Sequence, residues 1–453
     1  MTLELRNRAF YRKTLHLMLP VVLQQLITIG INFLDNIMVG SFGEIQISAV
    51  SFGNQFYAFF QFICMGLGSG AIVMSSQFWG RKETEPMKVV AAIALRLTAV
   101  LCAVFTFVCA VFPGFVLHLF TSDVNIISVG SPYMRLIGIT FIFAGLSSTA
   151  TYLLRSIGKT RIPLIGSLIA FFLNLFFNWV FIYGKFGAPK LELVGAAVGT
   201  IIARLFEFCF VFGYFIFKDD GFGFRPKHIS LSGKSLRGQY IKYSIPVLVS
   251  DTSLGLSLTI TTMIIGHLGE EISAANAIVL SAMQILTVLN MGMSGASSIT
   301  VGNTIGEGDI PRAKREGASY VIIAFILGLI AVPLFLLLEN PYLSLYNIGI
   351  ETRIIAHGMI VIICCMMPVQ TVAYVTSKGI LRGGGDTRFL LIADSSLIWL
   401  VSIPLGALAA FVWHMSPLWV FFLLRVEYPL KGIVCFICFC SGKWVREIKA
   451  TEA

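Results

Sequence analysis

Three stretches of this chain, Ile162 to Tyr183, Gly317 to Leu338 and Phe389 to Phe411, each run for more than 20 residues with Asp394 as the one charge among them. As helix, about 20 residues cross the roughly 30 Å of a bilayer's hydrocarbon core. Charged residues make up 12% of the chain and hydrophobic ones 57%, against about 25% charged in a soluble domain, and the mean hydropathy is +0.85. A water-soluble fold has no place for so much apolar surface. Membrane strands are excluded as well, because the runs lack period-2 alternation and exceed the length of barrel segments. The reading is therefore an all-α integral membrane protein. Its first apolar segment follows a basic start, lacks a small-residue cleavage site and merges into a full span, which predicts a retained helix and no cleaved leader.

Twelve spans are expected, centred near Ile27, Phe62, Val100, Phe141, Leu173, Leu205, Leu256, Leu289, Ala324, Ile363, Leu400 and Cys435. They divide into two similar sets of six, for the chain is written twice at an offset of 226 to 227 residues. Pro20 returns as Pro246, Met38 to Gly43 as Ile264 to Gly269, Gln77 to Gly80 as Asn303 to Gly306, and Leu154 to Arg161 as Leu381 to Arg388. Six spans return the chain to its starting side, so the halves are expected as parallel repeats, pseudo-symmetric six-helix lobes of the kind found in transporters. The N-terminal lobe is placed at 1–217, a cytoplasmic linker at 218–239 and the C-terminal lobe at 240–453. With the N-terminus inside, 24 of the 33 Lys and Arg fall on cytoplasmic segments, and only Lys185, Lys190 and Arg353 fall on outer loops. The positive-inside rule then gives N-in and C-in. It also accounts for the net charge of +10 without nucleic acid, since no aromatic-interleaved basic domain is present.

Ionisable groups within spans are costly, about 2.5 to 3.5 kcal/mol at a helix centre, and by default mark function. Asp35 lies among Ile31, Phe33, Leu34, Met38 and Val39; it either serves an ion or caps the outer end of the first span. Asn174 and Asn178 are four apart on one face of the fifth span. Two amides and a carboxylate offer hard oxygens to a small cation or hydrogen bonds to a protonated acid; alternatively they join helices. Asp251 is either a second coupling acid or substrate counter-ion, or the partner of a loop base. Lys378 and Asp394 form either an ion-pair gate or a structural pair with Lys378 snorkelling to the inner surface. Glu427 with Lys431 and Arg204 with Glu207 have the spacing of intrahelical pairs. Gln55, Tyr57 and Gln61, in a Phe-rich second span, are candidates to line a pocket for flat cations. Met283, with Met291 and Met293, adds the adaptable surface used by promiscuous binders.

These residues resemble the MATE (multidrug and toxic compound extrusion) family over essentially the whole chain. The resemblance rests on Asp35 to Gly40, Gln77 to Gly80, Leu154 to Thr160, Asn174 with Asn178, Val194 to Thr200, and Ile380 to Thr387, in order and at both repeat positions. It implies a secondary antiporter that binds organic, often cationic compounds between two lobes and exchanges them for H⁺ or Na⁺ by rocker-switch alternating access. It implies, further, that Asp35 is the coupling residue, with Asn174, Asn178 and Thr200 around the cation, Na⁺ being one candidate. Some members carry a second carboxylate where this chain has Asn178. Members with a sodium site in the second lobe carry acids where this chain has Leu254 and Thr371, which argues against such a site here. A prokaryotic plasma membrane and a functional monomer are also implied.

Other readings fall away. Gly66 to Gly70 resembles a phosphate loop by letter only and suits close helix packing. Cys435, Cys438 and Cys440 have no companion His. No Walker, HExxH or GxSxG sequence occurs, so the expectation is neither an enzyme nor an ATP-driven pump, with no cofactor beyond the coupling ion. The rivals that remain are a flippase for a lipid-linked precursor, which needs a cationic cavity, and a channel, which needs a pore-lining repeat.

Overall fold

The computed structural model describes Glu4 and residues 7–40, 43–346 and 348–449. Arg6 of the inner basic set and Ser41 and Phe42 of the repeated stretch lie outside the described residues. The first half of the chain forms α1 (Arg8–Gly40), α2 (Glu44–Gly80), α3 (Thr84–Val111), the short α4 (Pro113–His118), α5 (Val124–Ser156), α6 (Arg161–Tyr183) and α7 (Glu192–Gly213). The second forms α8 (Lys234–Gly266), α9 (Glu270–Gly306), α10 (Ile310–Leu343), α11 (Ile350–Tyr374), α12 (Thr387–Ser396), α13 (Ile403–Phe411), α14 (Pro417–Leu423) and α15 (Glu427–Ser441). Among the described residues there is no strand.

The duplication is carried into local structure. Helix starts at Arg8, Glu44, Thr84, Val124 and Arg161 recur at Lys234, Glu270, Ile310, Ile350 and Thr387, each 226 residues on. Backbone punctuation recurs with them. Gly43 before α2 has φ 123° and Gly269 before α9 has φ 133°, a region closed to side chains with a Cβ. Gly158 (φ 81°) and Gly385 (φ 88°) match in the same way. Pro20 and Pro246 lie inside α1 and α8 at the same depth.

Eleven helices or helix runs are long and apolar enough to cross a membrane. The expected span near Leu400 is composite: α12 and α13 are joined by a π-helical turn, Leu397–Ser402. The twelfth, near Cys435, is broken at residues 424–426 between α14 and α15. Large apolar side chains face outward in stripes, as a lipid solvent allows. On α10 only 17% of the most apolar stretch is buried, and Leu337 is 75% exposed.

By packing, the chain separates into two compact units, Pro20–Leu248 and Met1–Leu19 with Val249–Lys449. Within the first, Phe60, Phe105 and Phe141 form a mutual ring cluster with centroids 4.7 to 5.8 Å apart. Gly66, Gly68 and Gly70 of α2 provide close approach: a Cβ at each would lie 2.5 Å from Leu248 Cα, 2.0 Å from Tyr152 Cδ2 and 1.8 Å from Ser244 Oγ. In the second unit, Ile360, Ile363, Met359 and Met367 of α11 pack with Phe421 and Leu424.

Candidate functional site

In the Pro20–Leu248 unit, the four residues expected around a coupling ion are joined by hydrogen bonds. The amide Nδ2 of Asn178 (α6) donates to Asp35 Oδ1 (α1) at 2.6 Å and to Asn174 Oδ1 at 3.3 Å. Asn174 Nδ2 donates to Thr200 Oγ1 (α7) at 3.3 Å, and that hydroxyl donates to the Ala196 carbonyl at 2.9 Å. The i,i+4 spacing on α6 puts both amides on one face, and Gly199 lets α7 approach them. A Cβ at Gly199 would fall 2.1 Å from Asn178 Oδ1 and 2.9 Å from the Asn178 backbone nitrogen. Asn174 and Asn178 are buried, whereas Asp35 and Thr200 are half-buried, so the chain of bonds runs from a group open to exchange into the packed interior.

One atom of this set has no bond. Asn178 Oδ1 is buried without a hydrogen-bond partner among the described residues, although a buried acceptor left unsatisfied costs about 1 to 3 kcal/mol. Rotating the amide would turn this oxygen toward Asp35. With the Asp35 carboxylate, Asn174 Oδ1 and Thr200 Oγ1 it would then complete a set of hard oxygens suited to a small cation, or accept from a protonated Asp35.

A second network adjoins in the same unit, one turn further along α7. Arg204 pairs with Glu207 at 2.7 Å, as the spacing predicts, but the connection does not end there. Ser167 of α6 donates to Glu207 Oε1 at 2.6 Å, Gln24 of α1 donates to Ser167 Oγ at 2.9 Å, and Arg155 of α5 donates to Gln24 Oε1. Gln24 and Ser167 are members that the sequence reading missed; a lone amide or hydroxyl in a span gives no sign of its partner. Of the candidate pocket residues on α2, Gln61 donates to the Tyr57 hydroxyl at 2.6 Å, while Gln55 is exposed. The Arg204 guanidinium lies 5.7 Å from the Tyr57 ring centroid, so a cation from the protein itself sits over that aromatic face.

The second unit holds a buried ionic cluster. Asp251 of α8 accepts from Lys378 and, at 3.1 and 3.3 Å, from Arg382. Asp394 of α12 lies 3.4 Å from Lys378 and 2.6 Å from Lys431 of α15, and accepts from Ser250 at 2.6 Å. Lys378 lies in a π-helical turn, Val375–Leu381, that extends α11 to Arg382; the wider turn is a local device often found at functional positions. Lys378 is 8% exposed and so does not snorkel. Asp251 pairs with bases of the α11 extension within the bundle, and Lys431 is directed to Asp394, not as an ion pair to Glu427, because three helices converge there. Met283 of α9 is buried and lines a cavity of about 30 Å³, room for one water, with Thr287, Asn290, Met293, Gln370 and Thr371.

The sequence profile of the MatE family matches the chain twice, over residues 20–180 and 246–408. The chain is 24% identical over 442 residues to a probable multidrug resistance protein, NorM, of Neisseria meningitidis serogroup B, covering 96% of this chain and 95% of that one. It is 24% identical over 426 residues to the multidrug resistance protein PmpM of Pseudomonas aeruginosa, covering 91% and 87%. The crystal structure of a MATE transporter of Vibrio cholerae matches with a TM-score of 0.87 at 16% identity, over 96% of this chain and 97% of that one. A MOP superfamily transporter from Pyrococcus furiosus matches at 0.85 and 16% identity, over 95% of each. At these identities the structural matches speak for the fold.

Proposed function

The chain belongs to the MatE family and is a multi-pass membrane transporter, and from that premise we propose that it exports organic, chiefly cationic compounds in exchange for H⁺ or Na⁺ across a prokaryotic plasma membrane. The observation that carries this reading is the bond chain Asp35–Asn178–Asn174–Thr200, which ties one carboxylate to three helices. Relatives named as multidrug resistance proteins over nearly the whole length support the substrate class. Asp35 is the coupling acid.

Coupling requires that the ion and the drug favour different states of one site. An ionised Asp35 accepts the Asn178 amide and offers a negative charge to an organic cation. A proton or Na⁺ at Asp35 removes that charge and repels the amide hydrogens, so Asn178 turns its unsatisfied Oδ1 inward. Asn174 and Thr200 lose their donor geometry in turn, which moves α1, α6 and α7 against one another and releases the drug. Rocker-switch alternating access then follows if each packing is favoured by one ligand. The lipid-precursor flippase gains little support: Lys378, Arg382 and Lys431 provide bases at depth, but Asp251 and Asp394 engage them.

Equilibrium binding of ethidium to purified protein tests the competition. For the wild type the Kd rises at least about tenfold, 1.4 kcal/mol, when one ion, H⁺ or Na⁺, is raised; Asp35→Asn shows no such response. The same ion dependence in both proteins overturns the role of Asp35.

A further inference from the structure

We infer that the Pro20–Leu248 unit carries a binding site for an anionic phospholipid at the basic end of α3. A cavity of about 390 Å³ lies between α3 and the start of α8, lined by Ile93, Arg96, Leu97 and Val100 on one side and by Ser232, Lys234 and Arg237 on the other. That volume is within the roughly 300 to 1,000 Å³ of small-molecule sites. Three cations face it and no acid does. The acids elsewhere on this face are engaged: Glu85 with Lys88, Asp219 with Lys159 and Asp220 with Arg225.

Arg96 is held in place, donating to the Ala92 carbonyl at 3.1 Å and the Leu231 carbonyl at 2.5 Å. Lys234 and Arg237 are exposed and have no acid within ion-pair distance among the described residues. The first turn of the 33-residue α8 also begins here, adding its free N–H groups and positive dipole end to the same rim.

The apolar side of the cavity gives the ligand its second half. Val100, Val104, Phe107 and Val111 are 64%, 52%, 59% and 49% exposed, and their spacing makes one outward stripe on α3 that starts at the cavity. From Arg96 to Phe107 the helix rises about 16 Å, close to half of the roughly 30 Å hydrocarbon core. A phosphodiester at Arg96, Lys234 and Arg237 thus places its acyl chains along the stripe within one leaflet. Positive-inside charge makes that the cytoplasmic leaflet, where anionic lipid attracts basic groups with about 1 kcal/mol each, or about fivefold in affinity per residue.

The test is lipid retention by the full-length protein in nanodiscs, comparing spin-labelled phosphatidylglycerol with phosphatidylcholine, and inorganic phosphate as a soluble competitor. Phosphatidylglycerol is held tenfold or more over phosphatidylcholine by the wild type, and the preference weakens with salt. The double variant Lys234→Gln with Arg237→Gln loses tenfold or more of that preference. Val100→Trp, which keeps every charge and fills the acyl seat, also weakens retention. No preference in the wild type overturns the proposal whatever the variants do. Displacement by inorganic phosphate, with Val100→Trp without effect, overturns it in favour of a soluble phosphate site.

Discussion

At the scale of single residues, the account depends on Asn178 more than on any neutral side chain. Its amide joins Asp35 to Asn174, and its oxygen is the unsatisfied atom that an arriving ion would engage. Asn178→Leu is predicted to reduce gradient-driven transport tenfold or more while leaving the Asp35 carboxylate present, measured as efflux rate at equal protein density. Gly199→Ala is predicted to be worse for the fold, since the added methyl meets the Asn178 backbone; overpacking of this kind costs about 1 to 3 kcal/mol, read as a lower unfolding temperature. Asp35, Asn174, Asn178 and Thr200 were legible as a set because each breaks an apolar run or stands in a motif, and the repeat fixes their register. Arg204 over Tyr57 and Arg382 on Asp251 were not legible. Which of several cations meets a given face depends on how helices distant in sequence pack, and periodicity along one helix carries no such information.

At the scale of elements, two local irregularities hold charge. The π-helical turn Val375–Leu381 brings Lys378 and Arg382 to the same carboxylate. Lys378→Met is predicted to lower stability by about 3 to 5 kcal/mol, the usual cost of stranding buried charge. The double variant with Asp251→Asn recovers part of the loss, which a double-mutant cycle measures. The connection between α7 and α8 is the second case. Its Gly, Pro and charged composition predicts a linker with a short surface helix, and a 3-10 turn does form at Pro226–Ser230. Composition does not show how firmly the segment is fastened. Phe215, Phe222 and Phe224 are fully buried with ring centroids 5.3 to 5.4 Å apart, and Asp219 accepts from the Phe222 backbone at 2.8 Å and pairs with Lys159. Asp219→Ala is predicted to expose residues 219–233 to limited proteolysis at least several-fold faster, with the helices still protected. The break between α14 and α15 also escaped a hydropathy reading, because the residues around it remain apolar.

At the scale of the whole molecule, duplication organises the chain: helix starts, left-handed glycines and the two family matches all recur at one offset. The chemistry has not been kept symmetric. The first unit carries a single half-buried acid in a neutral hydrogen-bonded setting, whereas the second has closed its acids, Asp251 and Asp394, with Lys378, Arg382 and Lys431. One unit is therefore open to an exchangeable cation, while the other holds its cations covalently as side chains. The most direct test of this account is ethidium efflux from proteoliposomes under an imposed pH gradient or an imposed Na⁺ gradient, for the wild type, Asp35→Asn and Asp394→Asn. The account predicts transport driven by one gradient in the wild type and abolished in Asp35→Asn, with the same ion dependence, at lower stability, in Asp394→Asn. Gradient-driven efflux that persists in folded Asp35→Asn and is lost in folded Asp394→Asn would contradict it.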